Sequence, residues 1–516
     1  MNDNKTSKNS IVAKFAVPIS FLILFFLAAN FTDCDLVTFW KRRSHLTDLV
    51  VDMIPPDFSY IQKILLPLFY TIQMSVTGTV LGIFFALVLS PFGAANLGFP
   101  AVIRRILRIV IQILRSFPAL ILALTATFLF GLGTFAGTFA ITLYTFAIMT
   151  KLTYEDASAA DVKAYQALRA MGVSKYVAYI HGILPEIIPG FLTNALYLLE
   201  TNVRHSSILG YVGAGGIGLL LNEKISWLEY DKVGTILLML FLTVCVIEYF
   251  SRYLAALIRK EHTIKKEQAR LLLLFLAALF LICTFTLSLP DFSRTSPQTL
   301  RNMFAGFLQP DWSFFFSAEK DGLGYLLLET VCIAFIGTVI GAIVSAPLAF
   351  LNTKRFVPAP VSFLFNLVIM VIRSVPFLVY GLIFIRVSGP GAFTGVLTLA
   401  VCSIGLLTKR FTEALDALDP RPYHALLAMG VRPLPAICHS VLPQLKPVFT
   451  SIILYRFDVN IREASVLGLV GAGGIGAPLI FSMNQYAWEK AGAIMLGLIL
   501  LVWFIDMVSE KIGAGN

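Results

Sequence analysis

Two stretches of this chain read VGAGGIG, one at 212–218 and one at 470–476. Gly213-x-Gly215-x-x-Gly218, repeated as Gly471-x-Gly473-x-x-Gly476, has the spacing of a turn that lays bare backbone N–H groups against a pyrophosphate. That chemistry needs a buried strand before the glycines, a helix after them and a soluble βαβ unit around both. Here NVRHSSILGY precedes the first run, closing an apolar helical stretch, and LLLNEKISWLEYDK follows it before another apolar stretch. No GxxxxGK(S/T) phosphate loop occurs in the sequence. The glycines, Gly216 and Gly474 included, instead offer close backbone approach and positive φ without a Cβ clash. Two readings stay open: a compact re-entrant or surface turn facing its twin, or a tight structural connector.

The next candidates are charged residues in apolar surroundings. Glu200 and Arg204, like Asp458 and Arg462, stand four residues apart and can pair along one helical face, with Asn202 and Asn460 between them. They serve either as a substrate path or as a structural clamp. Arg115 and Arg373 either attract an anion or reach back to the headgroups. His181 and His439 read as interfacial packing. The six cysteines are scattered without a CxxC pair, and the sequence holds no HExxH. No metal site, disulfide framework or catalytic residue is expected.

What must position these residues is a membrane. Apolar residues make up 57% of the chain and charged ones 14%, against about 25% charged for a soluble domain. A formal charge of +10 would suggest nucleic acid in a soluble protein. Lys and Arg here cluster between apolar runs, at Lys5 to Lys14, Arg104 to Arg108, Arg252 to Arg270 and Lys409-Arg410, without aromatic interleaving. These are positive-inside loops in a lipid bilayer, and no nucleic-acid partner is expected. The N-terminus resembles a signal peptide in charge and length, lacks a clean cleavage site, and reads as an uncleaved first span.

The chain is one unit written twice. An offset of 258 residues carries the first glycine run onto the second, and Arg115-Ser116-Phe117-Pro118 onto Arg373-Ser374-Val375-Pro376. It also aligns 164–191 with 422–449, where 13 of 28 positions are identical. Each half shows six apolar stretches, near 15–31, 65–91, 109–131, 135–150, 186–203 and 232–257, then 271–289, 324–350, 359–385, 393–408, 442–457 and 489–508. The fourth and fifth are short for the roughly 20 residues that cross a bilayer; they borrow from their flanks, tilt or cross incompletely. Six crossings per half give both copies the same orientation. The expected fold is an all-α polytopic membrane protein, a tandem parallel repeat of a six-helix unit: 1–258, a basic cytoplasmic linker 259–270, and 271–516. Both termini fall in the cytoplasm, and the glycine runs at the outer face.

Between the fourth and fifth spans lies KLTYEDASAADVKAYQALRAMGVSKYVAYIHGILP. Propensity predicts a helix over 156–171. Gly172 can stop it, and a second short apolar segment ends at Leu184-Pro185. The other half repeats this with Ala425, Leu426, Gly430, Leu442 and Pro443. The shape suits docking to a partner or serves as an interfacial linker.

Ala167-Leu168-x-x-x-Gly172, running on to Leu184-Pro185, resembles the cytoplasmic loop of ABC importer permeases, similar to E-A-A-x-x-x-G with a distal L-P. The run from Asn202 through Arg204, Leu209 and Gly210 to Gly218, repeated from Asn460 to Gly476, resembles the phosphonate-type permease family, as does R-S-x-P. Gln166 and His424 stand where that pattern has glutamate, and two permease units are fused in one chain. The resemblance implies a permease at the bacterial inner membrane for phosphonate or a related oxyanion such as phosphite or phosphate. It implies loops 155–185 and 413–443 docked on two copies of a cytoplasmic ATPase, which uses ATP and Mg while this chain binds no cofactor. It implies a periplasmic or extracellular substrate-binding protein as well. The alternative is a twelve-helix secondary transporter without an ATPase. That class needs charged residues at mid-membrane and no repeated docking helix, and the sequence reads the opposite way on both counts.

Overall fold

The computed structural model describes residues 19–258, 266–288, 290, 297–317, 319 and 322–514. The basic block Lys5 to Lys14 and linker residues 259–265 lie outside them. All regular structure described is helical. The first half runs α1 (Ile19–Phe31), α2 (Ile61–Gly93), α3 (Ala101–Ser116), α4 (Ala119–Phe130), α5 (Thr134–Ala159), α6 (Lys163–Ala170), α7 (Lys175–Gly182), α8 (Leu184–Leu209), α9 (Ile217–Ser226) and α10 (Tyr230–Ile258). The second runs α11 (Lys266–Phe285), α12 (Leu323–Asn352), α13 (Ala359–Ser374), α14 (Phe377–Ser388), α15 (Ala392–Ala417), α16 (Arg421–Ala428), α17 (Leu442–Leu467), α18 (Gly476–Asn484) and α19 (Trp488–Ala514). Among the described residues, seven helices are long and apolar enough to cross a bilayer, or ten when each sharply bent pair counts as one span.

One sequence expectation changes. The third apolar stretch of each half is two helices rather than one run. Proline clashes with a helical residue before it, so Phe117 is extended (φ −93°, ψ 130°) and α3 meets α4 at 96°. The matching pair, α13 and α14, meets at 87° across Val375-Pro376. The fourth and fifth stretches take the first of the alternatives left open: they borrow from their flanks to make helices of 26 residues each. At a rise of ~1.5 Å per residue each is about 39 Å long, enough for a hydrocarbon core of about 30 Å.

Close approach between α2 and α5 rests on Gly78 and Gly82, four residues apart. A Cβ on Gly82 would stand 2.6 Å from Thr145 Cβ and 2.8 Å from the Thr142 carbonyl. Between α12 and α15, Gly337 and Gly341 do the same against Leu399 (2.7 Å) and Ser403 (2.4 Å). In lipid, where apolar burial does not drive helices together, small residues at four-residue spacing allow the van der Waals fit that does.

Packing divides the chain into two units that cut across the sequence repeat. One joins Ala305–Arg373 and Phe377–Asn516 with the chain up to Asp48; the other joins Leu49–Phe304 with Ser374–Pro376. Within the first, α1 lies on second-half helices, Phe21 against Phe335 at 5.5 Å and Phe31 against Tyr325 at 4.9 Å between ring centroids. Within the other, α11 lies on α2, where buried Gln73 donates from Nε2 to the Cys283 carbonyl (3.0 Å) and Thr286 Oγ1 (2.9 Å). Each leading helix thus packs on helices of the other copy.

Candidate functional site

The loop after α5 is built by local capping. The helix expected over 156–171 is interrupted at 160–162, where Asp161 Oδ1 accepts from the Lys163 amide at 3.0 Å. Such a carboxylate turn competes with the helical ladder and starts α6 afresh. The amide and then the side chain of Lys163 hold the Asp161 carboxyl below the usual carboxylate range. Gly172 ends the helix at φ +83°, with its own N–H bonded to the Arg169 carbonyl and that of Val173 to the Leu168 carbonyl. Nothing lies within 4 Å of where its Cβ would be. The demand is therefore on backbone angle, not on space.

Below that turn the loop is anchored. Tyr165, Ala178, Tyr179 and Ile183 are buried with Ala94, Leu97 and Tyr154, and the Tyr165 hydroxyl donates to the Leu97 carbonyl at 2.6 Å. Gln166 and Ala167 stay exposed, Leu168 is half-buried, and Met171 is 71% exposed. Leu184-Pro185 opens α8, with proline in the first turn where no N–H is missed.

The second half repeats the device residue by residue. Asp419 accepts from the Arg421 amide at 3.0 Å, which with the Arg421 side chain holds its carboxyl low. Gly430 stands at φ +81° with open space around it. His424 and Ala425 are exposed, Leu426 is half-buried, and Met429 is 70% exposed. Leu442-Pro443 opens α17. The loops differ below the glycine. In the first half α7 meets α8 at 69°, whereas 433–470 runs on as one span through a π-helical turn at Ile437–Val441. His181 and His439, expected as interfacial packing, are both exposed.

At the far end of α8, about 39 Å from Leu184, the glycine run is closed on the protein. Gly213, Gly215 and Gly216 have φ near +80°, as have Gly471, Gly473 and Gly474. Thr71 Oγ1 accepts from Ile217 N–H at 2.9 Å, and Thr330 Oγ1 from Ile475 N–H at 3.1 Å. The Gly213 carbonyl takes the Gly133 amide, and that of Gly471 the Gly391 amide. Gly218 and Gly476 admit the Ser207 and Ser465 carbonyls, 2.3 and 2.5 Å from where a Cβ would stand. These amides are spent on the protein's own oxygens.

Along α8 and α17 the polar residues pair as their spacing predicts. Arg204 Nη1 lies 2.9 Å from Glu200 Oε1, and Arg462 is bonded to Asp458. Asn202 is buried and donates from Nδ2 to Thr79 and Thr145, both at 2.8 Å, tying α8 to α2 and α5. Asn460 donates likewise to Thr338 (2.7 Å) and Ser403 (2.9 Å). Arg115 and Arg373 are half-buried in the last turn before each bend, and the Arg373 stem lies against Gly405.

One expectation is overturned here. A charged residue does lie near mid-span, in the second half: Arg456 is 5% exposed, and its Nη2 is 2.8 Å from Oε2 of Glu463, which lies nearer the end of α17. Reading the halves for matches hid it, because the matching positions are Leu198 and His205. Reading them for mismatches would have found it.

Helix–glycine–helix loops at one end of long spans, with closed glycine turns at the other, occur once in each half and make this a polytopic membrane protein built on one repeated unit. The family comparison agrees. The chain belongs to the binding-protein-dependent transport system inner membrane components, whose model matches residues 78–260 and 337–512. It is 27% identical over 473 residues to the phosphate-import permease protein PhnE of Mycolicibacterium smegmatis, covering 90% of this chain and 88% of that one. It is 36% identical over 184 residues to the phosphite transport system permease protein PtxC of Stutzerimonas stutzeri, covering 36% of this chain and 67% of that one. This chain is thus the inner-membrane permease subunit of an ABC importer, paired with a separate ATPase and a substrate-binding protein, and it is not itself the enzyme. Membership sets aside the twelve-helix secondary transporter.

Proposed function

We propose that this permease imports a phosphorus oxyanion, phosphonate, phosphite or phosphate, with loops 155–185 and 413–443 each seated on one copy of the ATPase. The observation that carries the coupling is the matched pair of loops, each ending a capped helix at a left-handed glycine beside an exposed methionine. The substrate class is supported by the names of the two relatives above. In this reading the repeats 1–258 and 271–516, joined by the linker 259–270, share one orientation. Both termini and both loops face the cytoplasm. The glycine turns lie at the outer face, where the binding protein delivers, and Glu200, Asn202 and Arg204 with Asp458, Asn460 and Arg462 border the path.

The test is reconstitution of the chain with its ATPase and binding protein in proteoliposomes. ATP-dependent uptake of labelled phosphate, phosphite or methylphosphonate is expected. Uptake by the chain alone, driven by a proton gradient, would overturn the reading.

A further inference from the structure

The duplication supplies an internal control for each residue that has a counterpart in the other half. Positions 198 and 456 are one 258-residue offset apart, as are 205 and 463. Leu198 is buried in an apolar cluster with Ala86, Met149, Phe191 and Ala195, so the first core closes around this position without a charge. Arg456, its counterpart, donates from Nε to Ser403 (3.2 Å) and from Nη2 to Glu463 (2.8 Å), with Nη1 at 3.5 Å from the second carboxylate oxygen. It stands 14 residues past Leu442 and 11 before Leu467, hence roughly 21 Å and 17 Å from the two ends of α17. Burying the Arg456 charge there costs several kcal/mol before pairing returns any of it. The first half shows that the helix packing does not require this.

The stripe around the pair is suited to a ligand. Arg456, Asn460 and Glu463 fall at i, i+4 and i+7, on one face of α17. A guanidinium has five N–H donors, and Ser403 and Glu463 engage at most three of them. Asn460 Oδ1, fully buried, accepts no hydrogen bond from the described residues. Asn202 Oδ1 is alike in this, but with Leu198 in place of the arginine. Free guanidinium donors beside carboxylate and amide acceptors complement a tetrahedral oxyanion that still carries a proton. Its charged oxygens take N–H bonds, and its P–OH donates to Glu463 or Asn460.

We propose that Arg456, Asn460 and Glu463 form an oxyanion subsite, carried by the second half alone, which a protonated tetrahedral oxyanion occupies in transit. This rests on the oxyanion-import reading above.

The experiment uses the complete complex in proteoliposomes, with labelled phosphate, phosphite and methylphosphonate as probes. Arg456→Leu with Glu463→His installs the first half's own residues. Uptake per ATP hydrolysed is expected to fall at least about tenfold, one charge-assisted hydrogen bond's worth. The thermal midpoint in detergent should not fall, because the first half accommodates these same residues, Leu198 and His205, and removing a buried ion pair as a whole is commonly neutral or stabilising. Arg456→Lys, which keeps the charge and loses the fork, should fall between wild type and the double variant. Unchanged uptake per ATP, or a double variant that fails to assemble, makes the pair structural and overturns the subsite. A wild-type complex that imports none of the three probes overturns the import reading instead, so the two failures are distinguishable.

Discussion

Replacing Gly172 and Gly430 tests whether loop geometry governs ATPase docking. Both glycines sit at φ near +80°, and both have open space where a Cβ would go. An alanine there meets no neighbour, so its whole cost is the left-handed backbone, about 1–2 kcal/mol for an L-residue. A free loop relieves that strain by leaving the docking conformation. Affinity then falls by the fraction of loops still competent. Per loop this is about five- to thirtyfold, and with both loops engaged the free energies add to roughly 2–4 kcal/mol. The assay is equilibrium binding of the purified ATPase to the detergent-solubilised chain, with membrane yield of the chain as the folding control. Gly172→Ala/Gly430→Ala should weaken binding by that amount at wild-type yield, and the valine pair should do so more strongly. Gly172→Asn/Gly430→Asn should stay near wild type, because asparagine visits the left-handed region at low cost. Equal losses for alanine and asparagine would show that the backbone angle is not what matters and refute the argument.

Three further outcomes follow from the same geometry. Gly82→Ala places a methyl 2.8 Å from the Thr142 carbonyl, a backbone atom that cannot swing aside, and should cost about 1–3 kcal/mol of overpacking, read as a lower thermal midpoint in detergent. Phe31→Cys with Tyr325→Cys, whose rings now touch, should form a cross-link that keeps the two halves joined after cleavage at a protease site built into the linker; halves that separate would contradict the packing of α1 on second-half helices. The Asp161 and Asp419 carboxyls titrate below their unfolded range, so their capping is complete above about pH 4 and is lost as pH falls through the lower folded value. ATPase binding should weaken over that acid range, whereas Asp161→Asn/Asp419→Asn, which caps without ionising, should remove that part of the pH dependence.

The sequence made legible what only one residue type can do. The glycine runs and Gly172 stood out because a left-handed turn and a carbonyl at 2.3 Å both forbid a side chain. The doubling was visible for the same reason, since residues with such demands recur at one offset. Hydropathy, in contrast, does not register dihedral angles. Residues 109–131 read as one apolar run, although Arg-Ser-Phe-Pro already contained the proline that bends it. The placing of α1 and α11 was hidden because a lipid-exposed leading helix carries little that names its partner. Gln73, which holds α11, looks from sequence like any polar residue early in a span.

A duplicated chain separates requirements of the fold from those of one site. Asn202 and Asn460 each bind two hydroxyls on two neighbouring helices, so the pattern survives in both copies although Thr145 has become Ser403. On the donating Nδ2 side that is how a packing requirement behaves: the partner changes and the bond is kept. Arg456 and Glu463 behave otherwise, since nothing polar stands at 198 and no acid at 205. Arg456 and Glu463 both lie on α17, and α17 is already tied to α15 by Asn460 and Ser403 at 2.9 Å, as α8 is tied to α5 by Asn202 and Thr145 at 2.8 Å. The ion pair therefore adds a buried charge to a junction already secured by the asparagine.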